Sequence, residues 1–175
     1  MGEVNFVEGG LGVWASLSSA IALILFALQT PAVLVLMSRL LQGPMRRPPL
    51  APREADPHQL GTVSVVVPTL NEAQRIRPCL AGLTLQSDEV REILVVDSHS
   101  EDGTPELVKQ AQQLDPRFRL LNDDPLPSGW VGRPWALHNG YLHSSQDSTW
   151  ILGIDADTQP QPGLVAALVA ETEAA

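Results

Sequence analysis

Thirty consecutive residues, Gly9 to Ser38, carry no charged side chain. A small water-soluble domain has little interior in which to hide such a run, whereas about 20 apolar helical residues are enough to cross the hydrocarbon core of a bilayer. Leu17 to Met37 contains eleven Leu, Ile, Phe and Val residues, together worth on the order of −5 kcal/mol of insertion free energy. Gln29, Thr30 and Pro31 subtract from that total. Pro31 is expected to kink a helix here and not end it, because apolar sequence resumes at once. A signal peptide would place basic residues ahead of the apolar run, but Glu3 and Glu8 stand there instead. A buried core helix and a re-entrant hairpin turning at Gln29-Thr30-Pro31 are the alternatives, and the length of the run favours a spanning helix.

Charge beside the run sets the expected orientation. Arg39, Arg46, Arg47 and Arg53 follow it closely, which by the positive-inside rule puts that side in the cytoplasm. Between Gly43 and Gly61 stand Pro44, Pro48, Pro49, Pro52 and Pro57, the composition of a stiff, extended connection. The expected organisation is a membrane anchor over residues 1–42, a Pro-rich linker over 43–61 and a soluble domain over 62–175. The expected location is the cell membrane, single-pass, with the soluble part cytoplasmic.

The soluble part mixes charged and apolar stretches, and most of the net charge of −9 lies there. An acidic chain is a poor partner for nucleic acid, whose phosphates require clustered Lys and Arg. The one cysteine, Cys79, can close no intramolecular disulfide. Ile76, Leu80 and Leu83 around it have the spacing of a buried helix face, so a core thiol is expected. His138 and His143 are five apart and fall on different faces of a helix.

Beyond Gly61, β-branched runs alternate with helical patterns. Strands are predicted at 62–67, 92–96, 118–121 and 150–154. A helix with Ile76, Leu80 and Leu83 inward follows the first, and Pro78 is tolerable only in its first turn. Thr104 reads as an N-cap with Pro105 at the first helical position, and Leu107, Ala111 and Leu114 line that helix. Further helices are expected from near Pro134 and from about Pro162. This alternation implies an α/β domain with a mostly parallel, Rossmann-like sheet, whose ligands bind beyond the carboxyl ends of the strands.

Acids gather at that edge. Thr69, Asn71 and Glu72 follow strand one, Asp97 and Ser98 strand two, Asn122, Asp123 and Asp124 strand three, and Asp155-Ala156-Asp157 strand four. So many carboxylates need a cation, hydrogen-bond donors or both to offset their repulsion. Asp155 and Asp157 are separated by one residue, so both can reach one pocket. Hard oxygen ligands in small number suit Mg²⁺ or Mn²⁺, with phosphate oxygens and waters completing the shell. Asp97 could accept hydrogen bonds from a base or ribose, or cap the loop from Ser98 to Asp102.

Three stretches, in this order, resemble family 2 glycosyltransferases of the GT-A fold: Val65-Val66-Val67-Pro68-Thr69-Leu70-Asn71-Glu72, Val95-Val96-Asp97-Ser98-His99-Ser100-Glu101-Asp102-Gly103-Thr104 and Asp155-Ala156-Asp157. The resemblance covers about residues 62 to 172. It implies the donor-binding half of such a domain, with Pro68, Asn71, Glu72 and Asp97 around the nucleoside. Asp155 would then face the ribose, and Asp157 would hold a metal on the diphosphate. The stretch Pro127-Ser128-Gly129-Trp130-Val131-Gly132-Arg133-Pro134-Trp135-Ala136-Leu137 is similar to a segment of bacterial carotenoid- and hopanoid-associated glycosyltransferases, with Arg133 where Lys is usual. An Arg at a helix start can grip a phosphate.

The implied activity is inverting transfer from a nucleotide-diphosphate sugar to a lipid-like, carotenoid-type acceptor, dependent on Mg²⁺ or Mn²⁺. The resemblance puts the acceptor site and the catalytic base beyond Ala175, as in a chain cut after its Asp-x-Asp. A sugar-nucleotidyltransferase is one alternative, although Thr69-Leu70-Asn71-Glu72 is neither Gly-rich nor basic. A membrane-anchored remnant that binds nucleotide without turnover is the other. Orientation is directly testable: a carboxyl-terminal reporter active only outside the cytoplasm should remain silent, and its activity would reverse the assignment.

Overall fold

The computed structural model describes residues 5–41 and 49–174. The chain divides into two compact units, Met1–Pro49 and Leu50–Ala175. In the first, α1 (Asn5–Leu41) runs unbroken through Pro31, so no re-entrant turn forms at Gln29-Thr30-Pro31. The Thr30 hydroxyl donates to the Phe26 carbonyl at 2.7 Å, a turn earlier. The stretch Leu17–Leu41 is long and apolar enough to cross a membrane, and none of it is buried. At the α-helical rise its 25 residues extend about 37 Å, more than the thickness of a hydrocarbon core.

The second unit alternates strand and helix: β1 (Val63–Thr69), α2 (Ile76–Thr84), β2 (Val90–Asp97), α3 (Thr104–Leu114), β3 (Phe118–Asn122), α4 (Gly132–His143), β4 (Trp150–Gly153) and α5 (Leu164–Glu173). The sheet order is β3-β2-β1-β4 and every pairing is parallel, as the strand–helix alternation predicts. All four strands therefore end at one edge. Register aligns Thr69 with Asp97 and Asp97 with Asn122, so the last residues of three strands form a row.

Local chemistry differs from expectation at two helix starts. Gly103, and not Thr104, is the N-cap of α3, in a left-handed conformation at φ 87°. The buried Thr104 hydroxyl is thereby freed from capping to join the loops at the sheet edge. α5 begins at Leu164 behind Gly163 at φ 77°, two residues later than Pro162, because the left-handed turn must precede the first helical residue.

The two sheet faces are unequal. Val63, Val65 and Val67 of β1 and Ile93 and Val95 of β2 pack with Ile76, Cys79 and Leu83 of α2, Val108 of α3 and Val165 and Val169 of α5. The other face carries Val66, Leu94 and Val96 against Ala136 of α4, with Leu121 and Leu137 beside them. There α4 crosses β1 so closely that a methyl group at Gly140 would overlap Val66.

A polar knot joins the start of this second face. Ser64 on β1 lies opposite Glu92 on β2, and its hydroxyl donates to that carboxylate at 2.8 Å. Arg119 on β3 donates to the same group at 2.5 Å, as does the Ser145 amide after α4. Burial alone would raise the Glu92 carboxyl, but the Ser145 amide, the Ser64 hydroxyl and Arg119 outweigh it and hold the group below the usual carboxylate range.

The described part of the expected linker, 49–61, is not a free spacer. The Arg53 amide donates to the Gly163 carbonyl at 3.3 Å, and the buried Gln59 donates to Glu173 of α5 at 2.9 Å. His58 stands 3.3 Å from the same carboxylate. The remaining linker residues, 43–48, lie outside the described residues.

Because the folded value of Glu92 is depressed, its contribution to stability is complete above the ordinary Glu range and is lost as pH falls through the folded value. Lowering the pH from about 6 to about 3 should therefore reduce the Tm of the wild-type chain more steeply than that of Glu92→Gln. Parallel melting curves would show that Glu92 is not the acid-sensitive joint.

Candidate functional site

Two loops at the carboxyl edge are tied together by side chains acting on backbone. After β1, the chain turns through Asn71 at φ 56°. The Asn71 amide donates to the Ser100 hydroxyl at 2.8 Å, and its side-chain oxygen accepts from the Glu101 amide at 2.9 Å. The Glu72 amide donates to the Thr104 hydroxyl at 2.9 Å, and the Ala73 amide to Asp102 at 2.9 Å. The Thr104 hydroxyl holds the Asp102 carboxyl below its usual range. Asp97 lies beneath, almost wholly buried, and accepts from the Thr69 hydroxyl at 3.0 Å, the Ser100 amide at 2.8 Å and the Ser100 hydroxyl at 2.6 Å.

Beside these loops opens a cleft of about 350 Å³, lined by Pro68, Thr69, Leu70, Glu72, Ser98, the α4 residues Gly132, Arg133 and Ala136, and Asp155, Ala156 and Asp157. Ala156 is buried, whereas the Asp155 and Asp157 side chains flanking it are 44% and 56% exposed. Arg133 is ion-paired with Asp155. Arg75, at the N-cap of α2, pairs with Glu72 at 2.8 Å and reaches Asp157 at 3.7 Å.

Of the residues singled out in the sequence, Pro68, Glu72, Arg133, Asp155 and Asp157 meet in this cleft. Asp97 does not line it. It faces an adjoining hollow with His99, Ser100, Glu101 and Asn122, and its carboxylate serves the loop, one of the two roles expected for it. Asn71 lines neither, and its side chain bridges the loops. Arg75 escaped notice in the sequence; the available signal was a cation at a helix start whose first turn holds no acid, contrary to what the helix dipole favours.

Asp123 accepts from the Ser98 hydroxyl at 2.7 Å, with the His99 ring 4.0 Å away, and the Trp135 indole N–H donates at 2.7 Å to the backbone carbonyl of Asp124 and not to its carboxylate. The side chains paired with the motif carboxylates are, among the described residues, the exposed Arg133 and Arg75. Among the described residues no three His, Cys, Asp or Glu side chains gather into a cage. Two accessible carboxylates in a cleft roomy enough for phosphates are instead the donor set of a hard divalent ion that shares its ligands with a substrate. Asp155 and Asp157 fit such an ion.

On the other side of α4, Trp130 stands edge-on to Trp135 with ring centroids 5.1 Å apart, and His138 lies 5.2 Å from Trp130. His143 bonds the Asn139 carbonyl through its ring at 2.9 Å. Neither histidine approaches the cleft lining.

Residues 64–175 match the model of "Glycosyl transferase family 2", so the chain belongs to glycosyltransferase family 2, with the GT-A arrangement of strands. It is similar to the mannosyltransferase PcManGT of Pyrobaculum calidifontis, solved with GDP-Man and Mn²⁺: TM-score 0.53, 28% identity, over 79% of this chain and 39% of that one. A 4,4'-diaponeurosporenoate glycosyltransferase of Staphylococcus haemolyticus is 29% identical over 98 residues, 56% of this chain and 24% of that protein. An undecaprenyl-phosphate 4-deoxy-4-formamido-L-arabinose transferase of Salmonella choleraesuis is 32% identical over 117 residues, 63% of this chain and 33% of that protein. The matches thus span about a quarter to a third of these two relatives' lengths.

Cys79 lies directly below the motif, fully buried, its thiol donating to the Asp155 carbonyl at 3.7 Å. Burial first, then the charges of Asp157 and Asp155, push that thiol up to about 12. Since the thiolate is the reactive form, Cys79 should resist a thiol reagent in the native chain and react fully in denaturant. Rapid native labelling would mean that the floor of the cleft opens.

Proposed function

We propose that this chain supplies the donor-binding half of an inverting, metal-dependent glycosyltransferase that moves a sugar from a nucleotide diphosphate to a lipid-like, carotenoid-type acceptor at the membrane. The observation that carries the reading is the pair Asp155 and Asp157, half exposed in a cleft and partnered, among the described residues, by Arg133 and Arg75. The PcManGT structure with GDP-Man and Mn²⁺ supports a nucleotide sugar and a divalent ion. The substrates after which the two bacterial relatives are named, diaponeurosporenoate and undecaprenyl-phosphate, support a lipid acceptor. A helix able to span a bilayer supports action at the membrane. The arginines after it support a cytoplasmic site.

In this reading Pro68 and Glu72 shape the nucleoside end of the cleft, with Asn71 and Asp97 fixing the loops behind them. Asp155 stands on the ribose side. Arg133, on the first turn of α4, is freed from Asp155 to meet a phosphate, where the helix N-terminus adds its own partial positive charge. Asp157 would hold Mg²⁺ or Mn²⁺, which when bound supplies Lewis-acid stabilisation of the departing diphosphate.

Calorimetric titration of UDP-glucose and GDP-mannose into the detergent-solubilised chain, with Mn²⁺ and with chelator, tests this. Binding should require the metal, and Asp157→Asn should weaken it at least about tenfold, as loss of a charged contact implies. Asp147→Asn, whose side chain is 81% exposed and far from the cleft lining, should leave binding unchanged. Equal binding with chelator and with Mn²⁺ would overturn the reading.

A further inference from the structure

Arg75 is placed against the preference of its own helix. It occupies the N-cap of α2, where no acidic residue follows in the first turn and the helix end already carries partial positive charge. Something outside the helix must favour it, and two carboxylates do. Glu72 holds the guanidinium at 2.8 Å from one side, and Asp157 lies 3.7 Å from it on the other. The Arg75 amide also donates to the Glu72 carbonyl at 2.9 Å, so the residue is fixed to its loop by backbone as well as by side chain. Its side chain is still 61% exposed, free to turn without disturbing a packed core.

We infer that Arg75 is the resident counter-ion of Asp157, which a divalent cation must displace to reach that carboxylate. The inference rests on Asp157 as the metal-binding residue proposed above. Without a cation nearby, Glu72, Asp155 and Asp157 would repel one another across the cleft. Arg75 and Arg133 offset that repulsion and keep the carboxylates in place. A divalent ion arriving at Asp157 meets a guanidinium already there, so the metal alone binds less well than the acids would allow. The displaced Arg75, still tethered to Glu72 on the cleft wall, then remains a cation beside the donor. It is a positioning residue, acting on the metal through Asp157.

Mn²⁺ binding to the detergent-solubilised full chain, without nucleotide, is read from the electron paramagnetic resonance of free Mn²⁺. Removing an exposed ion-pair partner should change affinity by up to about fivefold. Both R75M and R75Q should therefore bind Mn²⁺ more tightly than wild type by that order, R75K should stay near wild type, and D157N should cancel the gain in either neutral variant. If both neutral variants bind Mn²⁺ as wild type does, or more weakly, Arg75 is no competitor and the inference fails while the metal site stands. If D157N alone leaves Mn²⁺ binding intact, the metal-site reading fails instead, and this inference with it.

Discussion

Repulsion between carboxylates at a shared strand edge is the constraint around which this domain is organised. Parallel pairing forces the ends of the strands together, and register sets Thr69, Asp97 and Asn122 side by side. Glu72, Asp123, Asp155 and Asp157 are drawn to the same edge by the loops that follow. In a partly desolvated setting such charges must each find a donor. The chain provides donors of two kinds. Hydroxyls and amides of the β2–α3 loop and its neighbours serve Asp97, Asp102 and Asp123, whereas guanidiniums serve Glu72, Asp155 and Asp157. The first kind is short, local and fixed, so those acids become part of the scaffold. The second kind sits on long, exposed side chains that can leave, so those acids stay available to a ligand.

The cationic half of the site comes from helix placement. α2 and α4 both start beside the cleft, and neither has an acid in its first turn. α4 contributes its helix start and Arg133 to the lining, α2 sets Arg75 beside Asp157, and the loop after β4 contributes the two carboxylates. In the function proposed above, a metal and a diphosphate together would match both walls, positive ion to the carboxylates and phosphate oxygens to the helix starts. Neither would suit the cleft as well alone.

Much of this was legible in the chain. Valine runs ending in Pro or Asp located β1 and β2, because a fully buried parallel strand has to be apolar on both faces. Pro105 after Gly-Thr marked a helix start to within a residue. Glu72, Asp155 and Asp157 were visible because strand ends in such sheets collect ligands, whereas Pro68 and Arg133 were marked by the resemblance to the family's motifs. What stayed hidden depended on distance in sequence. Glu92 looked like an ordinary strand acid, and only the register with Ser64 and Arg119 makes it a joint. Arg75 needed Asp157, 82 positions away, to acquire a meaning. The proline-rich segment read as a spacer, since composition reports stiffness and is silent on whether Gln59 finds a partner in Glu173.

The contact between Gly140 and Val66 carries a further consequence for how the molecule can vary. Arg133 and Gly140 share one rigid helix, seven positions or about 10 Å apart along its axis. The glycine is the fulcrum at which that rod rests on the sheet. Any side chain there would lift the rod, and the displacement would appear undiminished at its arginine-bearing end. A buried contact two turns along the helix from the cleft thus has a share in its charge balance. A lineage that lost this glycine would have to re-aim Arg133 by changing β1 or the β3–α4 loop in step.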